Sequence, residues 1–221
     1  MQATLIKHML RTAIIAGVMF AMAGCATAPN RTPAPTKAVQ QDLPARIEIQ
    51  EAVGFTIVED ASIEGDVRLD YDRAHELLTQ GRTREGIELL KTVAEAAPNL
   101  SAPHIDLGIA YQHEGDLEAA ETQLKQALAI NPLHPVALNE IGIVYRKTAR
   151  FSQARQSYQA ALDVYPGFHY ARRNLAVLCD LYLADLECAV ENYEAYMATV
   201  DNDDEAAMWL KSARFRSGQA E

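Results

Sequence analysis

The stretch from Pro98 to Pro132, PNLSAPHIDLGIAYQHEGDLEAAETQLKQALAINP, decides the fold, because its pattern runs on directly into Pro132–Pro166, PLHPVALNEIGIVYRKTARFSQARQSYQAALDVYP. Pro98, Pro132 and Pro166 stand 34 residues apart, and other positions keep the same step. Ala74, Gly108, Gly142 and Ala176 are the small residues, with Leu77, Tyr111, Tyr145 and Cys179 three residues behind them. Gly81, Gly115 and Ala149 come next, then Gly86, Ala120 and Ala154, then Leu90, Leu124 and Tyr158, and finally Val93, Ala127 and Ala161. A fixed period of this length is the mark of a helical solenoid in which each unit covers its neighbour.

Each unit reads as a pair of helices, A and B. Ile105, Leu107, Gly108 and Tyr111 keep helical spacing. Gly115-Asp116 breaks the helix, and Asp116 is placed to cap the next one. Leu117, Ala120, Leu124, Ala127 and Leu128 then form a second apolar face. Small Gly108 and Ala120 let the two helices approach, larger Tyr111 and Leu124 fill the space beside them, and Pro132 ends the unit.

These residues resemble the tetratricopeptide repeat, with its Leu-Gly-x-x-Tyr in helix A, Ala and a Leu or aromatic in helix B, and a closing Pro. Leu107-Gly108-Ile109-Ala110-Tyr111 and Ile141-Gly142-Ile143-Val144-Tyr145 carry the likeness. The resemblance implies an all-α fold, a right-handed superhelix of antiparallel helix pairs, with units at 67–100, 101–134, 135–168 and 169–200. The aromatic common early in helix A is replaced by Asp70, His104, Leu138 and Arg172. The fourth unit departs at its turn near Leu183-Ala184-Asp185, which is one residue longer and has no glycine. Residues 201–221 then supply a capping helix, started by Asp203 or Asp204 and carrying Met208, Trp209 and Leu210.

The family resemblance also implies a binding groove lined by the second, fifth, ninth and twelfth positions of each unit. On this chain those positions give Tyr71 and His75, then Ile105, Ile109 and Gln112, then Asn139, Ile143 and Arg146, and last Tyr170, Arg173, Val177 and Asp180. The Lys and Asn with which some members clamp a terminal carboxylate are replaced by Ile105 and Ile109. The aliphatic stripe with Arg146 and Arg173 beside it suits a peptide with apolar anchors and an acidic residue. Residues 47–66 form an extension in which Ile47, Ile49, Val53, Phe55 and Ile57 suggest one short strand; that extension is a competitor for the same groove.

The amino terminus reads as an export signal. Lys7 and Arg11 precede the uncharged, mostly apolar run Thr12–Ala23, which is too short to span a bilayer. Met22-Ala23-Gly24-Cys25 resembles the lipobox of bacterial lipoproteins, which implies removal of residues 1–24 and lipidation of Cys25. The alternative is an ordinary signal peptide with a coincidental cysteine. Ala26 rather than Asp after the cysteine implies the outer membrane of a Gram-negative bacterium, lipid-anchored and facing the periplasm. Residues 25–46, with Pro29, Pro33, Pro35 and Pro44, form a spacer. Of the three cysteines, Cys179 and Cys188 flank the fourth turn symmetrically, so they are either a disulfide or two buried thiols.

The chain has 221 residues and a net charge of −10, which excludes a phosphate-neutralising nucleic-acid binder. It carries no phosphate cradle, nucleophile elbow or metal-binding His pair, so neither a cofactor, a metal nor a small-molecule substrate is expected, and the chain reads as a non-enzyme. Asp201-Asn202-Asp203-Asp204-Glu205 lacks the glycine of a calcium loop and reads as a solvated helix start. The expected function is an interaction scaffold for a cell-envelope complex (pilus, secretion or peptidoglycan-related), bound to a protein or peptide partner and to the membrane through lipid. The alternatives are a stabilising subunit of an envelope enzyme or transducer, or an envelope hydrolase that no motif reveals.

Overall fold

A computed structural model describes residues 45–50, 54–59 and 64–219; the expected export signal, Cys25 and most of the expected spacer lie outside them. Among the described residues the helices fall in pairs: α1 (Gly65–Thr79) with α2 (Thr83–Ala96), α3 (Ala102–Glu114) with α4 (Leu117–Ile130), α5 (Pro135–Lys147) with α6 (Phe151–Val164), and α7 (His169–Leu181) with α8 (Leu186–Met197). The helix α9 (Asp204–Arg216) packs on α8. The A helices α3, α5 and α7 also touch one another across units, whereas the B helices fan apart. That asymmetry curves the array and puts the A helices on its inner face. The array is all-α.

Close packing of A on B rests on small residues facing large ones. A methyl group on Gly142 would lie 2.6 Å from Cε1 of Tyr158, and one on Gly108 would lie 2.6 Å from Cγ of Leu124. Tyr158 and Leu124 are fully buried in the continuous core that runs from Ala120 through Tyr145 and Leu178 to Ala213. A smaller cluster of Ala74, Ile87, Leu90, Ala94, Leu107 and Ala110 holds the first unit to the second. Burial of these faces, at about 25 cal/mol per Å2 of apolar area, is the main force holding each pair closed.

The turns between A and B require one residue in the left-handed region. Gly81 (φ +74°) and Gly115 (φ +83°) meet that requirement without strain, but Ala149 (φ 59°) and Ala184 (φ 53°) fill it in the third and fourth units. Each alanine costs about 1–2 kcal/mol there. Asp116, Asp185 and Asp203 cap α4, α8 and α9 by accepting from the backbone N–H groups of Ala119 (3.0 Å), Cys188 (3.2 Å) and Ala206 (2.9 Å). Cys179 and Cys188 are joined as a disulfide across the fourth turn, with their Cα atoms 5.9 Å apart.

Where one strand is expected, the structure has two. β1 (Ala45–Gln50) pairs antiparallel with β2 (Gly54–Glu59), in a register that sets Ile47 opposite Ile57 and Ile49 opposite Phe55. The physical reason is that the backbone N–H and C=O groups of an extended segment need partners, and a second strand supplies them. No described helix is long and apolar enough to cross a membrane.

Two predictions test this account. Ala149→Gly is expected to stabilise the chain by about 0.5–1 kcal/mol, the relief of left-handed strain less the added freedom of the unfolded chain, while Gly115→Ala destabilises it by about 1 kcal/mol. Urea unfolding of both variants measures the pair, and equal midpoints would contradict the strain assignment. Reduction of Cys179–Cys188, which closes a loop with a sequence separation of 9, is expected to remove about 2–3 kcal/mol. Unfolding with and without reductant, alongside intact mass, reads both the bond and its effect.

Candidate partner-binding groove

The inner face shows which of the expected groove positions are open. Ile109, Ile143 and Val177 are half-buried and form an aliphatic stripe along α3, α5 and α7. Three other positions do not line an open groove: Ile105 (4% exposed), Gln112 (6%) and Asn139 (2%) lie in the seams between A helices. The reason is the contact of neighbouring A helices, which covers one edge of each. Tyr170 is 60% exposed at the start of α7, with the His169 ring 4.1 Å away.

The seam between α3, α5 and α7 is polar. Asn174 donates to Oδ1 of Asn139 (2.9 Å), Asn139 donates to one Glu140 carboxylate oxygen (3.0 Å), and Gln112 donates to the other (3.0 Å). Burial nevertheless holds the Glu140 carboxyl above its ordinary range. At the first unit, the Asp106 carboxylate accepts from the Tyr71 hydroxyl and lies 3.0 Å from Nε2 of His75. The hydrogen bond from His75 to Asp106 holds the imidazole above its ordinary pKa, and burial with the Asp106 charge pushes the Tyr71 phenol up.

At the fourth unit the chain itself covers the face. Arg173 donates to Glu205 (3.1 Å), lies 3.8 Å from Asp203 and sits over the Trp209 ring at 5.0 Å, so it fastens the capping segment instead of facing a partner. Asp180 is also withdrawn, its side chain 3% exposed between the Arg216 guanidinium and the Tyr193 hydroxyl (3.4 Å).

At the third unit, Arg146 is half-buried and makes one long hydrogen bond, from Nη1 to the Tyr182 hydroxyl (3.5 Å), with its guanidinium 5.8 Å from that ring's centre. Its Nε has no hydrogen-bond partner. The Tyr158 hydroxyl lies against the Arg146 side chain, an interaction that favours the arginine's charge and offsets part of the effect of burial on the phenol. Burial pushes the Tyr158 phenol up to about 12.

Beside the first unit, Ile57 and Glu59 of β2 enclose a pocket of about 230 Å3 with Val67, Tyr71, Val93 and His134. Glu59 accepts from the backbone N–H (2.9 Å) and the hydroxyl of Ser101. The extension thus packs beside the start of the A helices through Ile57 and Glu59. His134 caps α5, its Nδ1 accepting from the N–H of Ala137 (3.3 Å). Among the described residues, the grouping of possible metal ligands is Cys179, Asp185 and Cys188, and the disulfide uses both sulfurs.

Asp106, Glu140, Tyr158 and Tyr182 were not singled out by sequence as groove residues. Tyr158 occupies a helix B core position, its ring packed against Gly142 and its hydroxyl beside Arg146. Asp106 and Glu140 sit beside expected positions, and no spacing rule marks them.

Residues 77–139 and 139–181 match two family models of the tetratricopeptide repeat. Similar solved structures include pilF of Pseudomonas aeruginosa (TM-score 0.63, 20% identity, 69% of each chain). MamA 41-end from Desulfovibrio magneticus RS-1 superposes with a TM-score of 0.63 at 22% identity, over 72% of this chain and 89% of that one. TTC0263, a thermophilic tetratricopeptide-repeat protein of Thermus thermophilus, gives 0.58 at 24% identity, over 68% and 82%. By sequence, 91 residues (41% of this chain) are 29% identical to the anaphase-promoting complex subunit CDC16 of Saccharomyces cerevisiae. The matches span only 11% of CDC16 and 13% of a similar Caenorhabditis elegans protein, the protein O-mannosyl-transferase F38B6.6. A curved stack of antiparallel helix pairs with an open inner face is a helical-repeat scaffold for protein–protein interaction. The chain is a tetratricopeptide-repeat protein.

The His134 cap yields a pH prediction. Burial lowers its pKa from 6.5 to about 4. Above pH 6.5 folded and unfolded chains both carry the neutral ring. Between about 6.5 and 4 only the unfolded chain takes up the proton, so stability falls with pH by up to about 3 kcal/mol and then levels off. His134→Asn keeps a capping oxygen and removes the titration. Its melting temperature is expected to fall less between pH 6.5 and 4 than that of the wild type; parallel curves would contradict the assignment.

Proposed function

We propose that the chain is exported, lipidated at Cys25 and held on the periplasmic face of a Gram-negative outer membrane, where its groove grips a protein partner in the assembly or stabilisation of a cell-envelope complex. A pilus, a secretion channel and a peptidoglycan-synthesis assembly are the settings such an anchored scaffold suits. It has no chemistry of its own to perform; its role is to hold. The observation that carries this reading is the half-open stripe of Ile109, Ile143 and Val177, which runs along the inner face through three successive units. An open apolar surface with a polar rim marks an interaction site. The lipobox sequence Met22-Ala23-Gly24-Cys25 supports the anchor, since several acyl chains hold a soluble domain on a bilayer firmly. Similar repeat arrays occur in named assemblies, among them the Cut9–Hcn1 hetero-tetramer of the APC/C.

A photo-reactive residue at position 109 or 143 is expected to crosslink a protein partner in intact cells, while one at exposed Gln156 on α6 does not. Ile109→Asp is expected to reduce capture about tenfold or more with helicity unchanged. Cys25→Ser should release the protein from the membrane fraction. Equal crosslinking from positions 109 and 156 would end the groove reading, and retention of the Cys25→Ser protein on membranes would end the anchor reading.

A further inference from the structure

Beside the first two units the chain holds a pocket that the groove does not use. Its apolar walls come from Val67 of α1, Val93 of α2, Leu100 in the loop that follows and Pro103 at the start of α3, and Ile57 of β2 completes them. The stripe of Ile109, Ile143 and Val177 takes no part in it. At about 230 Å3 the pocket equals about eight water volumes, room for a molecule of about eight to ten non-hydrogen atoms. No motif announces such a space, because its lining comes from separate stretches of chain that only the packing of the hairpin, two units and the loop before α5 brings together.

Three polar side chains share the lining, and two of them are already engaged. Glu59 accepts from the backbone N–H (2.9 Å) and the hydroxyl of Ser101, and the Tyr71 hydroxyl donates to Asp106. His134 is engaged through one nitrogen only. It is 7% exposed, and its Nδ1 accepts from the Ala137 N–H (3.3 Å), so the neutral ring carries its proton on Nε2. The residue's own backbone carbonyl also acts on the ring, but from the Nδ1 side, because Nε2 is too far from its own backbone to reach it. The Asp106 charge is felt at the ring as well, yet that carboxylate is held by Tyr71 and His75. Nε2–H therefore has no acceptor among the described residues. Unlike the unpartnered Nδ2 of Asn131, Nε2 is not sealed in: it keeps accessible surface, and its ring borders the pocket.

A single free donor among apolar walls selects what enters. Water meets Nε2–H but leaves the walls wetted, whereas a molecule with an apolar body and one acceptor satisfies both. The Glu59 carboxylate in the lining repels an anion, and a cation gives Nε2–H nothing to donate to. We propose that this pocket binds a small uncharged ligand, mostly apolar and about the size of one substituted ring, whose carbonyl or ether oxygen accepts from Nε2–H of His134. Apolar walls with a few polar groups that fix orientation are the usual build of a small-molecule site. Because Ile57 and Glu59 belong to β2, the ligand also fastens the hairpin to the array.

The test takes the full-length chain in detergent, isotope-labelled for NMR, and titrates four probes built on one ring: acetophenone, ethylbenzene, benzoate and benzylamine. Acetophenone is expected to shift the His134 Nε2 and Ile57 methyl resonances, with the two charged probes about tenfold or more weaker there. His134→Asp keeps a capping oxygen and removes the donor. In that variant the preference for acetophenone over ethylbenzene is expected to fall about tenfold, and uptake of either probe by detergent cancels in the comparison with the wild type. Ala102→Phe, at a half-buried lining position, fills the pocket and is expected to abolish the shifts, with circular dichroism reporting its helicity. A preference unchanged by His134→Asp would overturn the hydrogen bond and the ligand class with it. Tighter binding of benzoate or benzylamine would overturn the uncharged ligand. Shifts that survive in folded Ala102→Phe, or no shift from any probe up to its solubility, would overturn the site.

Discussion

The interlock of a small residue on helix A with a large one on helix B governs this structure. Gly142 admits the Tyr158 ring so closely that a single added methyl group would collide with it, and Gly108 does the same for Leu124. Interiors pack at crystal-like density, so this contact fixes both the separation and the rotation of the pair. Once each pair is fixed, its outer edges meet the next pair in one way only, and the A helices close on one another along the inner face. The groove is therefore a by-product of packing between helices, and its depth is set by how far the large residue reaches past the small one.

That reach has a chemical consequence. Leucine at the position, as in Leu124, ends inside the core. Tyrosine carries a hydroxyl through to the other side of helix A, where it must find a partner or go without. In the fourth unit Tyr193 finds Asp180, whose charge Arg216 of the capping helix balances. In the third, Tyr158 meets Arg146. The same packing device thus sets the hydroxyl against a carboxylate in one unit and against a guanidinium in the other, and the difference lies in one side chain on helix A.

The two ends of the array are closed by different means. At the start, β2 packs through Ile57 and Glu59 against the first two units, and Glu59 ties it to Ser101. At the end, α9 is held by Arg173 with Glu205, Arg214 with Glu194 (2.9 Å), and Arg216 with the buried Asp180. Exposed ion pairs add little each, whereas removing the Arg216 guanidinium would leave the Asp180 carboxylate buried without its cation, which costs about 3–5 kcal/mol. Arg216 with Asp180 is thus the contact that counts most in seating the cap, and the open part of the groove lies between the two closures.

The repeat, its period and the helix pairs were legible in the sequence because packing of A on B is local: the residues that touch lie within one 34-residue unit and recur with it. Turn positions, the Asp116 cap and the symmetric placing of Cys179 and Cys188 are local in the same sense. The open or closed state of groove positions was not legible, because it depends on neighbours a whole unit away. Ile105 and Asn139 hold lining positions by count but are covered by the next A helix, and Arg173 is turned from the groove by residues 203–209. The hairpin needed a partner strand that alternation alone cannot assign. The sequence by itself determined a tetratricopeptide array and its register. The tertiary structure alone decided which polar groups the array satisfies from within, because a hydrogen bond between units depends on distances that no single unit contains.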